Sequence, residues 1–162
     1  MLQTVGVMGP SRADEQQLQD AYEIGRIIAE LKHALITGGM AGIMEEASRG
    51  AKEAGGLVIG ICPLNDKRFM NEYVDIGILT DMGSGRNYMN ILSSDAVIAI
   101  GSNGSAGTLS EIAFAIQAGT KPLMIMRPPA TMRAFFEDFE TEQQICFGTS
   151  PEDVRTFLGE CF

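Results

Sequence analysis

An α/β fold, with a parallel sheet wound in both directions and helices on both of its faces, is predicted by three observations. Short apolar runs recur along the chain, each continuous rather than alternating with polar residues. Stretches with helical spacing of apolar residues separate them. Gly- and Ser-rich turns follow several of the runs. Continuous apolar runs suit strands covered on both faces, and strict alternation with helices implies right-handed βαβ units.

The strands are expected over residues 4–8, 34–36, 57–61, 96–100 and 123–126, with 74–79 a weaker sixth. The first helix is marked by Leu18, Ala21, Tyr22, Gly25 and Ile28, the second by Ile43, Met44, Ala47, Ala51 and Ala54. Both spacings give one buried face. Tyr88, Ile91 and Leu92 mark a third helix, and Leu109, Ile112, Ala113 and Ile116 a fourth. In the fifth, Met132, Phe135, Phe136 and Phe139 read as core aromatics. A closing helix over 149–158 opens on TSPED, where Ser150 can cap, Pro151 suits the first helical position and two acids sit in the first turn. The acidic stretch 137–144 reads as solvated surface. The whole is a Rossmann-like, three-layer α/β/α arrangement, expected as one domain over 1–162, with ligands bound beyond the carboxyl ends of the strands.

Composition narrows the function. With 162 residues and 45% hydrophobic content the chain can bury a core without metal or disulfide support. A net charge of −9, with four Lys and eight Arg, leaves no basic stripe for nucleic acid or anionic lipid, so a small ligand is expected. Cys62, Cys146 and Cys161 are odd in number, with no CxxC spacing and no His cluster, which points to cytosolic thiols. The start, MLQTVGVMGP, lacks a basic n-region, and no apolar run approaches the roughly 18 residues of a membrane span. A cytoplasmic protein is expected.

Four strand-to-helix junctions could carry chemistry. Gly9, Pro10 and Ser11 follow the first strand, and such a turn can serve a tight reversal or a phosphate contact. Gly38, Gly39 and Gly42 precede a helix whose N-terminal N–H groups suit an anion; the alternative is close helix-on-sheet packing. Glu45 and Glu46 lie in that helix's first turn, where the macrodipole favours acids in any case. At the third junction Gly85 precedes Arg86, where a helix starts. A cation there opposes the macrodipole by roughly 0.3–1 kcal/mol unless an anion joins it. At the fourth, Gly101, Ser102, Gly104, Ser105 and Gly107 lead to Thr108 and form a candidate phosphate nest. Thr108 and Glu111 also fit a capping box, which would give Glu111 a purely structural role.

Other nucleotide and cofactor folds are excluded by motif. The first turn lacks GxGxxG, no Gly-Lys-Ser/Thr occurs, and Lys32, Lys52, Lys67 and Lys121 all fall outside the candidate loops, as a pyridoxal Schiff base would not.

At these residues the sequence resembles the Lonely Guy and molybdenum-cofactor-carrier superfamily, also known by the name lysine decarboxylase-like. The resemblance covers residues 5–126. The superfamily signature PGGxGTxxE is met by Gly107, Thr108 and Glu111, and its upstream Arg by Arg86. A Gly-Gly loop leading to Gly-x-Met and a later Gly-Ala is met by Gly38, Gly39, Gly42, Met44, Gly50 and Ala51. This chain reads GSNGSAGT where the signature has PGGxGT, with two extra residues and no Pro. GVMGP, the TGG loop and SSDAVIAIG look closer to the carrier-like branch.

For that branch the resemblance implies binding of a nucleotide or phosphorylated cofactor, such as a molybdopterin-type cofactor, with no resident cofactor required. For the enzyme branch it implies hydrolysis of the N-glycosidic bond of a nucleoside 5′-monophosphate to base and ribose 5-phosphate, not decarboxylation of lysine. Arg86 would then anchor the phosphate or leaving group. Glu111 would stabilise an oxocarbenium-like state or orient water. The resemblance also implies a homo-oligomer, dimer or tetramer.

Overall fold

In the computed structural model, which describes residues 1–101, 105–119, 121–139, 141 and 143–162, strand and helix alternate as expected. The elements are β1 (Thr4–Met8), α1 (Glu15–Glu30), β2 (Ala34–Thr37), α2 (Ile43–Glu53), β3 (Val58–Cys62), β4 (Ile76–Leu79), α3 (Arg86–Leu92), β5 (Ala96–Ile100), α4 (Ala106–Ala118), β6 (Leu123–Met126), α5 (Ala130–Glu137), β7 (Ile145–Gly148) and α6 (Pro151–Cys161). One seven-stranded sheet has the order β4-β3-β2-β1-β5-β6-β7, and all six pairings are parallel. The chain winds outwards from β1 to β4, returns through α3 to β5 on the other side of β1, and winds outwards again. Layers and winding are those of a Rossmann-like three-layer α/β/α fold.

The continuous apolar runs are explained by two cores, one on each face. In β5, Ala96, Ile98 and Ile100 face the layer that includes α1, α2 and α6, while Val97 and Ala99 face Ile91 of α3, Ile112 of α4 and Phe136 of α5. The period of two is present, but both phases are apolar because both faces are covered. In the first layer α1 and α2 approach backbone to backbone. A Cβ on Gly25 would lie 2.0 Å from the Ala47 carbonyl oxygen, and one on Gly50 would lie 1.9 Å from that of Tyr22. The Gly50 of the family motif thus serves helix packing.

The expected closing helix is present. The backbone N–H of Ser150 donates to Asp153 Oδ2 (2.9 Å) in a capping box, with Pro151 in the first turn. At α1, Asp14 and Gln17 form a second reciprocal box.

Four expectations are corrected. The sheet has a seventh strand, β7, only four residues long and on the edge, where partial burial leaves little apolar signal. In the stretch read as solvated surface, Gln143 is buried, and its amide donates to the Lys121 carbonyl oxygen. Phe135 and Phe139 are not core: α5 buries only Phe136 fully, and Phe135 is 60% exposed. Most consequentially, α3 buries Ile91 as expected but turns a polar stripe inwards beside it in place of Tyr88 and Leu92. Its buried residues are Arg86, Asn87, Asn90 and Ile91, while Tyr88 and Leu92 are exposed. Among the described residues no helix is long and apolar enough to cross a membrane, and Cys62, Cys146 and Cys161 are unpaired.

Candidate functional site

The strand order reverses between β1 and β5, and in open parallel sheets the crevice beyond the carboxyl ends of such strands is the natural ligand position. A cavity of about 180 Å³ lies there, walled by the loop after β1, the end of β2, and the facing residues of α2, α3 and α4. Of the residues singled out in the sequence, Gly9, Ser11, Gly38, Arg86, Ser105, Gly107, Thr108 and Glu111 line it. Two of the four junctions also supply backbone turns behind the wall. Gly39 (φ 70°), Gly42 (φ 71°) and Gly101 (φ 65°) hold left-handed conformations. Gly42 also lets the α2 cap pass under the β1 loop, since a Cβ there would meet the Ser11 carbonyl at 2.5 Å. Gly85 precedes α3 without facing the cavity. Ser102 and Gly104 lie outside the described residues.

The two helix N-termini expected to serve an anion differ. At α2 the first N–H, that of Ile43, is taken by the Pro10 carbonyl (3.1 Å). At α4 the first turn lines the cavity through Gly107, whose missing side chain leaves space: a Cβ there would come no closer than 3.8 Å to Ser105 Oγ. A helix N-terminus open to a cavity in this way favours an oxyanion.

The expected capping box of Thr108 and Glu111 is not formed. The cap lies three residues earlier, at Ser105; Ser105 Oγ accepts from the Thr108 N–H (3.2 Å) and from Thr108 Oγ1 (3.0 Å). Glu111, freed from the cap, turns toward α3. Its Oε1 accepts from Asn90 Nδ2 (3.0 Å) and faces Arg86 Nη1 at 3.4 Å.

Arg86 is 8% exposed and Glu111 5%. Their contact is longer than the 2.7–2.9 Å of a good charge-assisted bond. Arg86 Nη2 meets only Met44 Sδ at 3.9 Å, and Arg86 Nε has no hydrogen-bond partner among the described residues. Gly38 makes room for the guanidinium, because a Cβ there would come within 2.3 Å of Nη2. Burial dominates the ionisation of both groups. It pushes the Glu111 carboxyl up to about 7, against the opposing pull of the Asn90 bond and of Arg86. It also lowers the Arg86 guanidinium from its ordinary value, against the Glu111 charge; an arginine nonetheless stays protonated.

Sequence reasoning missed Asn87 and Asn90. Asn87 lines the cavity and donates to Ser110 Oγ (3.0 Å). Asn90 is fully buried, and its Oδ1 lacks a partner among the described residues. The signal was available in RNYMN: polar residues at i, i+1 and i+4 share one helical face with Arg86. A wider cavity of about 350 Å³ lies at the opposite, amino-terminal end of the strands, near the starts of β6 and β7, and none of the sequence-predicted site residues line it.

The fold is shared with known proteins over nearly the whole chain. The chain is 38% identical to the molybdenum cofactor binding protein from the phototrophic bacterium Rippkaea orientalis, with a TM-score of 0.92 over 99% of this chain and 97% of that one. Against the molybdenum cofactor carrier protein MCP from Chlamydomonas reinhardtii the identity is 34% and the TM-score 0.89, over 99% and 98% of the two chains. An uncharacterized protein of Archaeoglobus fulgidus is 42% identical over 151 residues, which is 92% of this chain and 97% of the relative. The glycine turns, the inward-facing arginine and the helix-borne glutamate accordingly sit in a framework shared over nearly full length. With its sequence matching the SLOG cluster4 family over residues 2–155, the chain is a member of that family.

Proposed function

We propose that the protein binds and carries a phosphorylated cofactor of the molybdopterin type, with its phosphate held at Arg86 and the first turn of α4. The observation that carries this reading is the state of Arg86. A buried guanidinium stands on the wall of the switch-point cavity with, among the described residues, one long contact to Glu111 and no partner for its Nε. An arginine withdrawn from water with so few partners is costly unless a further anion completes its hydrogen bonds. Ser11 and Ser105 add hydroxyls at the same cavity, and Gly107 keeps the approach open. These residues fit an oxyanion, and the likeness to molybdenum cofactor carrier proteins supports the choice of ligand class. The molybdenum is cargo on this reading; the chain's own residues bind and orient the phosphate end. A site in the cytoplasm belongs to the same proposal.

A second reading is favoured by Glu111. A carboxyl titrating near neutrality beside a phosphate position is poised for general acid–base work, which suits hydrolysis of a nucleoside 5′-monophosphate at its N-glycosidic bond. Incubation of the purified protein with nucleoside 5′-monophosphates and with molybdopterin separates the two. Retention of molybdopterin through gel filtration without release of free base from the nucleotides is the expected result. Base release abolished in Arg86→Ala and Glu111→Ala would establish the hydrolase instead, and neither binding nor turnover would remove both readings.

The protein also forms a homo-oligomer on this proposal, through the layer of α3, α4 and α5. Tyr88, Leu92, Leu109, Phe135 and Phe139 are all exposed there, and α4 carries apolar residues on nearly all sides, a composition that suits a helix covered all round.

A further inference from the structure

We infer that anion binding at Arg86 is coupled to uptake of a proton by Glu111, so that this carboxyl determines when the site accepts a dianion. The inference rests on the proposed anion site and adds to it a proton that the ligand brings in.

The geometry forces the two charges together. Arg86 and Glu111 line the same cavity of about 180 Å³, so a dianion seated against the guanidinium shares a small, water-poor volume with the carboxylate. Like charges in such a volume are weakly screened, and the one that can take a proton does so. Among the described residues Glu111 has no other cation to turn to. From α3 it faces Arg86 and the neutral Asn90, while Met44 of α2, Met8 of β1 and Gly38 at the end of β2 complete the surrounding wall without a titratable group. Cys62, at the end of β3, acts on Arg86.

In the free protein the carboxylate is already poorly held, since its contact with Arg86 is long and Asn90 supplies a single donor, both on Oε1. Once a ligand takes over the guanidinium, that single neutral donor is what remains among the described residues for the negative form. The neutral form then prevails. Burial already brings the carboxyl to about 7 before any ligand arrives, so the coupling operates at neutral pH. A proton drawn from the buffer onto Glu111 accompanies each dianion bound, to the extent that Glu111 was ionised beforehand.

Sulfate is a suitable probe because it stays a dianion across the whole range of interest. Its affinity for the intact protein would be measured by titration calorimetry at constant ionic strength, and the heat at neutral pH compared in two buffers of different ionisation enthalpy. If binding requires neutral Glu111, the affinity falls roughly tenfold between pH 6 and pH 8, and about half a proton is taken up at pH 7. In Glu111→Gln, which keeps the shape and the neutral charge, the pH dependence disappears and the affinity at pH 8 matches that of the unaltered protein at pH 6. Arg86→Gln loses sulfate binding at every pH. The buffer comparison needs no variant, so a poorly folded Glu111→Gln protein does not block the test.

The outcomes separate the inference from the site reading. Sulfate binding that needs Arg86 but shows neither pH dependence nor proton uptake overturns the coupling and leaves the anion site standing. A pH dependence that persists in Glu111→Gln assigns the proton to another group and also overturns it. Absence of sulfate binding at any pH, or binding unchanged in Arg86→Gln, overturns the anion site itself and the coupling with it.

Discussion

Arg86 Nη1 stands 3.4 Å from Glu111 Oε1, with both side chains almost wholly withdrawn from water. Burying two opposite charges at that separation recovers little of the cost of desolvating them. Two consequences follow, one for stability and one for the pocket around the arginine.

The first is a pH-dependent stability. The Glu111 carboxyl is raised from an ordinary 4.5 to about 7 by burial, so folding favours its neutral form. Its contribution is therefore fully present below the ordinary value and is lost as pH rises through about 7. The loss approaches about 3 kcal/mol. Glu111→Gln should remove it: in urea denaturation the variant is expected to exceed the unaltered protein at pH 8 by up to about 3 kcal/mol, with the two converging below the ordinary carboxyl value of 4.5. A Glu111 that served as a helix cap would give the opposite sign, with the variant less stable at pH 8.

The second concerns Gly38. A methyl group there would occupy the place of the Arg86 guanidinium, 2.3 Å from Nη2. The guanidinium is the far end of a flexible chain and can move aside. Gly38→Ala should therefore change stability by less than about 1 kcal/mol while weakening oxyanion binding by an order of magnitude or more. Calorimetric titration alongside thermal melting checks both halves. A large stability loss with unchanged binding would show that Gly38 serves the loop instead of the arginine.

Gly25→Ala and Gly50→Ala should behave in the reverse way. Their new methyl groups would meet backbone carbonyl oxygens at 2.0 and 1.9 Å, and backbone cannot step aside. Forcing α1 and α2 apart is expected to cost about 2 kcal/mol or more, even after the gain in helix propensity. Both variants should melt earlier and, below their melting temperatures, bind oxyanions as before.

The exposed aromatic surface carries a prediction about assembly. Phe135 and Phe139 stack against each other with ring centroids 5.7 Å apart, on the outside of α5. If this face joins copies of the chain, Phe135→Ser together with Phe139→Ser should lower the mass measured by light scattering without unfolding the protein. An unchanged oligomer would place the interface elsewhere.

Much of the site was legible in the linear order of residues because turns and helix starts use short-range chemistry. Gly9, Gly38, Arg86 and Gly107 were each identifiable from a strand end, a glycine turn or a cation misplaced on a helix dipole, and all four line the cavity. Two things misled. Thr108 and Glu111 have the spacing of a capping box, but Ser105 had already capped the helix, and local spacing cannot say which of two hydroxyls wins. In α3 the apolar pattern of Tyr88, Ile91 and Leu92 located only Ile91 correctly and missed the buried Arg86, Asn87 and Asn90. Hydrophobic periodicity assumes that the buried side is the apolar side, and a helix that lines a polar cavity breaks that assumption.

By itself the sequence determined the alternation of strands and helices, the burial of the sheet on both faces and the turns at the strand ends, all of which follow from apolar runs, periodicity and glycine. Only the tertiary structure decided that β1 and β5 lie side by side, that α3 turns its arginine and asparagines inwards, and that Glu111 meets Arg86 across 25 residues of chain. Those relationships depend on non-local packing. Strand order sets which loops become neighbours, and the cavity between them sets which side chains lose water. The charge state of Glu111 follows from that burial.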